Sequence, residues 1–130
     1  MKIRKEILEA IKEHSRSSFP IEACGYLASK DGVVSDIYKM TNVDNRADHF
    51  SFDPQEQINV FLDSKSKGLK LDGVYHSHPY TPARPSKEDI KLAYDPNISY
   101  VIASLAEEEI VIKSFRIVNN EATQEEIEEI

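Results

Sequence analysis

The sequence predicts a mixed α/β (α+β) fold, a central mixed β-sheet flanked by helices. Three observations predict it. Apolar residues at helical spacing give way repeatedly to short β-branched and aromatic runs, in the order helix, strands, helix, strand, helix, strands. The 130 residues, 40% apolar and 30% charged, form one domain spanning 1–130, large enough to bury about two thirds of its unfolded surface. No apolar run approaches the ~20 residues of a membrane span, which predicts a soluble chain without a membrane role.

Ile3, Ile7, Leu8, Ala10 and Ile11 recur at helical spacing with charged residues between them, predicting a helix from 2 to about 15. His14 falls on its polar face near the C-terminus, where the helix dipole suits an imidazole, and residues 15–20 break the helix. Residues 22–29 read as a strand, and Asp31-Gly32 as the hairpin turn into a second strand over 33–43. After a polar, turn-rich run over 42–47, residues 49–52 alternate as a short strand. Phe50 and Phe52 share one face of it, and His49 faces away, exposed. Asp53-Pro54 opens a second helix by the N-cap and proline-first rule. Ile58, Phe61 and Leu62 supply its buried stripe, and Gly68 ends it.

Leu71, Val74 and Tyr75 give the next segment strand character, and Pro79 ends it. It carries His76 and His78, which as alternate strand residues point to one face and bring a nitrogen each toward a single ion. A catalytic zinc ordinarily takes three protein ligands, and Asp89 is the best candidate for the third. Pro79, Pro82 and Pro85 impose a stiff loop, after which Ser86 opens a helix over 86–93 with Asp89 one turn inside. Ser86 and Asp89 also have the spacing of a capping box, a local role that is commoner than catalysis. His-x-His-Pro on a strand followed by Ser-x-x-Asp at a helix start is nonetheless hard to explain as coincident packing and capping. Strands over 98–104 and 110–118 follow, with the turn at Glu107-Glu108-Glu109. The acidic run 121–130 reads as a short terminal helix or a frayed tail.

On these residues the sequence resembles the JAMM (MPN+) metalloproteases of the small prokaryotic type, whose signature is an upstream glutamate, His-Ser/Thr-His-Pro, a loop and Ser-x-x-Asp. The resemblance covers nearly the whole chain and implies the JAMM/MPN (cytidine deaminase-like) fold. It implies one zinc ion held by His76, His78 and Asp89, with Ser86 serving the oxyanion. It also implies a general acid/base at the upstream glutamate, for which Glu22 in Pro20-Ile21-Glu22-Ala23-Cys24-Gly25 fits; without the motif Glu22 would read as a solvated strand-end carboxylate. Tyr80 and Arg84, in the loop between the ligands, are candidates for substrate contact.

The short connections and the Ala83-Arg84-Pro85-Ser86 loop match the small prokaryotic members rather than those that remove ubiquitin. That likeness implies a partner that is a ubiquitin-like or sulfur-carrier protein ending in Gly-Gly, cleaved after that end. Such a tail could add to an exposed strand edge beside the cleft. Two other readings stand beside this one: a non-catalytic MPN-type interaction module, and a thiol hydrolase using Cys24 with a histidine base. A formal charge of −7 without a basic stripe argues against nucleic acid. The lone cysteine excludes an internal disulfide, and the N-terminus lacks a signal-peptide pattern, so the cytoplasm is the expected compartment.

Overall fold

The computed structural model describes Met1–Ile130. The chain begins with a two-residue strand, β1 (Lys2–Ile3), before helix α1 (Lys5–Ser18). The helix therefore starts later than its periodicity suggests, because Ile3 is drawn into the sheet. It also runs past Ser15, which is buried and donates its hydroxyl to the Ile11 carbonyl at 2.7 Å instead of breaking the turn. His14 is half-buried rather than solvated, with Nδ1 2.6 Å from the Tyr75 hydroxyl.

Strands β2 (Cys24–Lys30) and β3 (Val33–Met40) form the expected hairpin. Asp31 and Gly32 both have positive φ, as a two-residue turn that matches strand twist requires. Residues 49–52 do not form a strand. They make one isolated bridge, Phe52 to Asn42, outside the strands, and the Phe50 and Phe52 side chains pack against the cluster of Cys24, Met40 and Val60. Helix α2 (Pro54–Ser66) begins as expected, with the Asp53 carboxylate accepting from the Gln55 N–H, and ends at Gly68, whose φ is +67°. Its inward face is different from the expected one. Val60 and Ser64 are buried, whereas Ile58, Phe61 and Leu62 are 51, 54 and 64% exposed. Apolar residues lie on two faces of this helix, so periodicity alone does not choose between them.

Strand β4 (Lys70–His78), helix α3 (Lys87–Lys91), and strands β5 (Ser99–Ser104) and β6 (Val111–Val118) follow close to their expected places. The acidic C-terminus is neither helix nor frayed. Asn119 and Asn120, both at positive φ, turn the chain into β7 (Glu121–Glu125) against β6, and β8 (Glu128–Glu129) then pairs with β1. The sheet order is β7-β6-β5-β4-β2-β3-β1-β8. Since β7 and β8 lie on opposite edges but are joined by only residues 126 and 127, the sheet must curl toward closure. It is mixed as predicted, with β4 parallel to β5 and antiparallel to β2.

The two faces of the sheet differ. Ile7 and Ile11 of α1 pack with Leu27, Tyr75 and Val101 on one face. Cys24, Met40 and Val60 cluster under α2, and Ala83, Ile102, Phe115 and Ile117 lie toward α3. No helix is long and apolar enough to cross a membrane.

Candidate metal centre

Alternation along β4 sends Tyr75 and Ser77 to the α1 side and His76 and His78 to the other. Both histidines are 4% exposed, and their Nε2 atoms stand 3.1 Å apart. The two rings are oriented from behind. His78 Nδ1 lies 2.9 Å from the Pro82 carbonyl, which only accepts, so Nδ1 carries a proton and Nε2 faces the site. His76 is stacked by Phe50, with ring centroids 5.0 Å apart and planes 29° apart.

Asp89 completes the group from α3. Its Oδ2 lies 3.2 Å from His76 Nε2 and 3.0 Å from His78 Nε2. The same oxygen accepts from the Ser86 N–H at 2.9 Å, while Ser86 Oγ accepts from the Asp89 N–H at 3.0 Å. The capping box and the contact with the two imidazoles thus share one carboxylate, since the cap fixes the rotamer that aims it. Burial pushes the Asp89 carboxyl up, but hydrogen bonds from both imidazoles outweigh it and hold the group well below the usual carboxylate range. Burial likewise opposes charge on His78, but the bonds to Asp89 and to the Pro82 carbonyl, together with the Asp89 charge, outweigh it and raise that imidazole.

Glu22 reaches the same place from the opposite side. It lies just before β2 in a segment pinned to the motif strand: Ser77 Oγ accepts from the Ala23 N–H at 2.7 Å, and the Ser77 N–H donates to the Ala23 carbonyl at 3.0 Å. The middle serine of His-Ser-His therefore sets the approach of Glu22. The carboxyl is 4% exposed, not solvated, and with His76 and His78 it offers ligand atoms all within 4.8 Å of one another. Burial, then the charges of Asp89 and Asp48, push it up to about 9. Its Oε1 is buried without any hydrogen-bond partner. Two imidazoles and two carboxyl groups gathered here, one with a buried oxygen left unpartnered, fit a divalent cation such as zinc.

Beside the histidines opens a cavity of about 400 Å³, walled by Tyr26, Phe50, Phe52 and Tyr100, with His76 and Asp89 at its edge. Arg84 and Tyr80 do not line it. Arg84 is exposed and makes no ion pair, and the Tyr80 ring, 63% exposed, sits edge-on to Phe19 with centroids 5.3 Å apart. Cys24 faces His76 across the β2–β4 pair but is wholly buried, and burial pushes its thiol up to about 12. Without thiolate near neutral pH it makes a poor nucleophile.

Sequence reasoning missed two residues that hold the site. His49 is not exposed. It is partly buried and joins Asp44 to Glu88. Asn42 donates through Nδ2 to the Glu22 carbonyl at 3.1 Å and to the His49 carbonyl at 2.9 Å. Asn42-Val43-Asp44 is legible as an Asx-turn, and the Asp44 N–H does donate to Asn42 Oδ1 at 3.1 Å, but nothing local indicates where the amide nitrogen reaches.

Residues 4–118 match the family model described as prokaryotic homologs of the JAB domain. The chain is 33% identical over 128 residues to the CysO-cysteine peptidase of Mycobacterium tuberculosis, covering 96% of this chain and 88% of that protein. It is 31% identical over 75 residues to the desampylase of Pyrococcus furiosus, covering 58% of this chain and 54% of that one. Among solved structures, a protein from Desulfitobacterium hafniense superposes with a TM-score of 0.90 at 43% identity, covering 100% of this chain and 93% of that one. A JAB1/MPN domain protein from Archaeoglobus fulgidus does so at 0.69 and 24% identity, covering 100% and 97%, a likeness of fold.

Proposed function

The chain belongs to the family of prokaryotic homologs of the JAB domain, and on that premise we propose that it is a zinc hydrolase of the JAMM type, a peptidase or isopeptidase acting on a ubiquitin-like or sulfur-carrier protein. It cuts the bond after the carrier's C-terminal Gly-Gly. The observation that carries this reading is the convergence of His76 Nε2, His78 Nε2 and Asp89 Oδ2 opposite the unpartnered Glu22 Oε1. The substrate class is supported by relatives whose names are CysO-cysteine peptidase, desampylase and probable TtuB-protein conjugate cleaving protease.

His76, His78 and Asp89 hold the metal. Zinc, when bound, supplies Lewis acidity that draws the pKa of water toward ~7 and polarises a carbonyl. Glu22 takes a proton from the attacking water at Oε1 and returns it to the departing amine nitrogen. A carboxyl pushed up to about 9 is a ready acid, and a divalent cation beside it replaces carboxylate repulsion with attraction, making the ionised base accessible as well. Division of labour follows from the same contrast: Asp89, held ionised by two imidazoles, suits ligation, and Glu22 suits proton transfer. Ser86 spends a lone pair on its cap, so its O–H remains free to donate to the oxyanion.

The carrier tail does not extend β4. Both edges of that strand are paired, to β2 as far as His76 and to β5 as far as His78, so the tail enters through the open cavity beside His76. The lone, buried Cys24 is compatible with a reducing compartment, and the cytoplasm is the working location. The test is to incubate the zinc-loaded protein with carrier proteins bearing one-residue, peptide and protein extensions after Gly-Gly and to weigh the products. Cleavage after the second glycine that a chelator stops and zinc restores is the expected result. Failure on every carrier, or cleavage elsewhere, removes the substrate assignment.

A further inference from the structure

Helix α3 carries Asp89 yet buries none of its residues completely. Ile90 packs only partly against the cluster of Ala83, Ile102, Phe115 and Ile117, and the capping box orders the helix internally without anchoring it to the sheet. An anchor from outside comes from His49. Its Nδ1 contacts Glu88 Oε1, on the residue before Asp89, and its Nε2 lies 2.7 Å from Asp44 Oδ2. Each ring nitrogen thus faces a carboxylate oxygen, one on either side of the imidazole. Beyond Asp44 the connection continues through Asn42 to the Glu22 carbonyl. Ser51 Oγ donates to Asp44 Oδ2 at 2.5 Å, and Phe50, between Ser51 and His49, stacks on His76. Loop 41–53 thus meets the Glu22 backbone, the His76 ring and the helix of Asp89.

We propose that His49 is a positioning residue of the site: by bridging Asp44 and Glu88 it sets the separation between the Glu22 segment and α3 at which Asp89 completes the ligand set. The inference rests on Asp89 being the third ligand. A half-exposed imidazole–carboxylate bridge is worth little in stability, about 0–1 kcal/mol. A metal site is less forgiving, because ligands displaced by more than about 0.5 Å no longer converge. The bridge therefore acts on metal affinity more than on folding, with a loss comparable to that on removing a group that orients a ligand, roughly tenfold or more.

Zinc affinity is measured by competition with a chromophoric chelator on the full chain and on His49→Ala, Glu88→Gln, the double variant and Asp89→Ala, each shown folded by circular dichroism. Expected are about tenfold weaker binding in both single variants, a double variant no worse than the weaker single because one contact is removed twice, and the largest loss in Asp89→Ala. With zinc saturating, kcat falls and KM stays. Glu88 is exposed, so Glu88→Gln decides the matter if His49→Ala does not fold. Affinity within twofold of wild type in the folded bridge variants, with Asp89→Ala impaired, overturns the role of His49 and leaves the ligand set standing. Wild-type affinity in Asp89→Ala overturns both.

Discussion

The ring of Tyr75 lies directly against the backbone of Gly25 on the neighbouring strand: a Cβ on the glycine would stand 2.4 Å from Tyr75 Cε1 and 2.3 Å from the Tyr38 carbonyl. Tyr75 is wholly buried, and its hydroxyl is hydrogen-bonded to Nδ1 of His14, whose imidazole burial holds below its usual range. The ring has nowhere to move. Gly25→Ala is therefore expected to cost about 1–3 kcal/mol by overpacking and to lower the melting temperature by roughly 5–10 °C. Gly73→Ala is the comparison, since its Cβ would stand 3.2 Å from the Ser99 carbonyl and needs only a small adjustment. Equal melting temperatures for the two variants would show that the Tyr75 ring and the β3 backbone at Tyr38 both yield.

His-Ser-His-Pro and Ser-x-x-Asp made it legible that His76, His78 and Asp89 come together, because both halves lie in local structure whose period and caps are read from neighbouring residues. What failed depends on distant partners. Glu121 to Ile130 is rich in helix formers, yet its strands exist because β6 and β1 offer unpaired edges. The inward face of α2 is not legible locally because it carries one apolar residue, Val60, beside Ser64, while Ile58, Phe61 and Leu62 stay exposed; the choice of Val60 is made by Cys24 and Met40 beneath it. His49 looked exposed because its partners, Asp44 and Glu88, come together only in the folded loop.

Replacing any of His76, His78 or Asp89 by alanine should release zinc and end hydrolysis, since two remaining ligands hold the ion weakly. Glu22→Gln should keep the metal and lose turnover by about 10²-fold or more, because an amide cannot accept the proton. Metal content by mass spectrometry and single-turnover rates separate the two outcomes. A zinc-loaded Glu22→Gln near wild-type rate removes Glu22 from proton transfer.

Glu22 also predicts how stability depends on pH in chelator-treated protein. Its carboxyl titrates near 4.5 when unfolded and is raised to about 9 in the fold. Between these values the unfolded chain has released the proton that the folded chain retains, so stability present below 4.5 is lost as pH rises toward 9. Glu22→Gln should remove that slope, melting higher than wild type by a margin that grows from pH 5 to pH 9. A margin constant with pH would mean that Glu22 is not held protonated.

Ser86 has two roles that substitutions can separate. Alanine removes both the cap and the hydroxyl, whereas glycine removes the hydroxyl and weakens the N-cap by only a few tenths of a kcal/mol. Both variants should slow turnover by roughly 10²-fold, the usual cost of one oxyanion donor, and only Ser86→Ala should also lose about 1 kcal/mol of stability. Retained activity in Ser86→Gly would confine Ser86 to capping.

Arg84 makes no ion pair in the fold and stands exposed two residues before Ser86, in the loop that joins the strand of His76 and His78 to the helix of Asp89. A guanidinium left unpaired there is available to a ligand. If the leaving group is a single amino acid, its free carboxylate lies a few ångströms from the scissile carbon, and the guanidinium fork matches it with two parallel hydrogen bonds. The arginine does not line the cavity beside His76, which places any such contact on the departing side of the bond and not with the carrier tail. Arg84→Ala is then expected to lose activity on a carrier with a one-residue extension while largely keeping it on a longer extension and on the amidated one-residue tail. Rates measured by mass spectrometry on the three substrates decide it. Equal loss on all three would mean that Arg84 shapes the loop, and no loss on any would leave it a solvated surface cation.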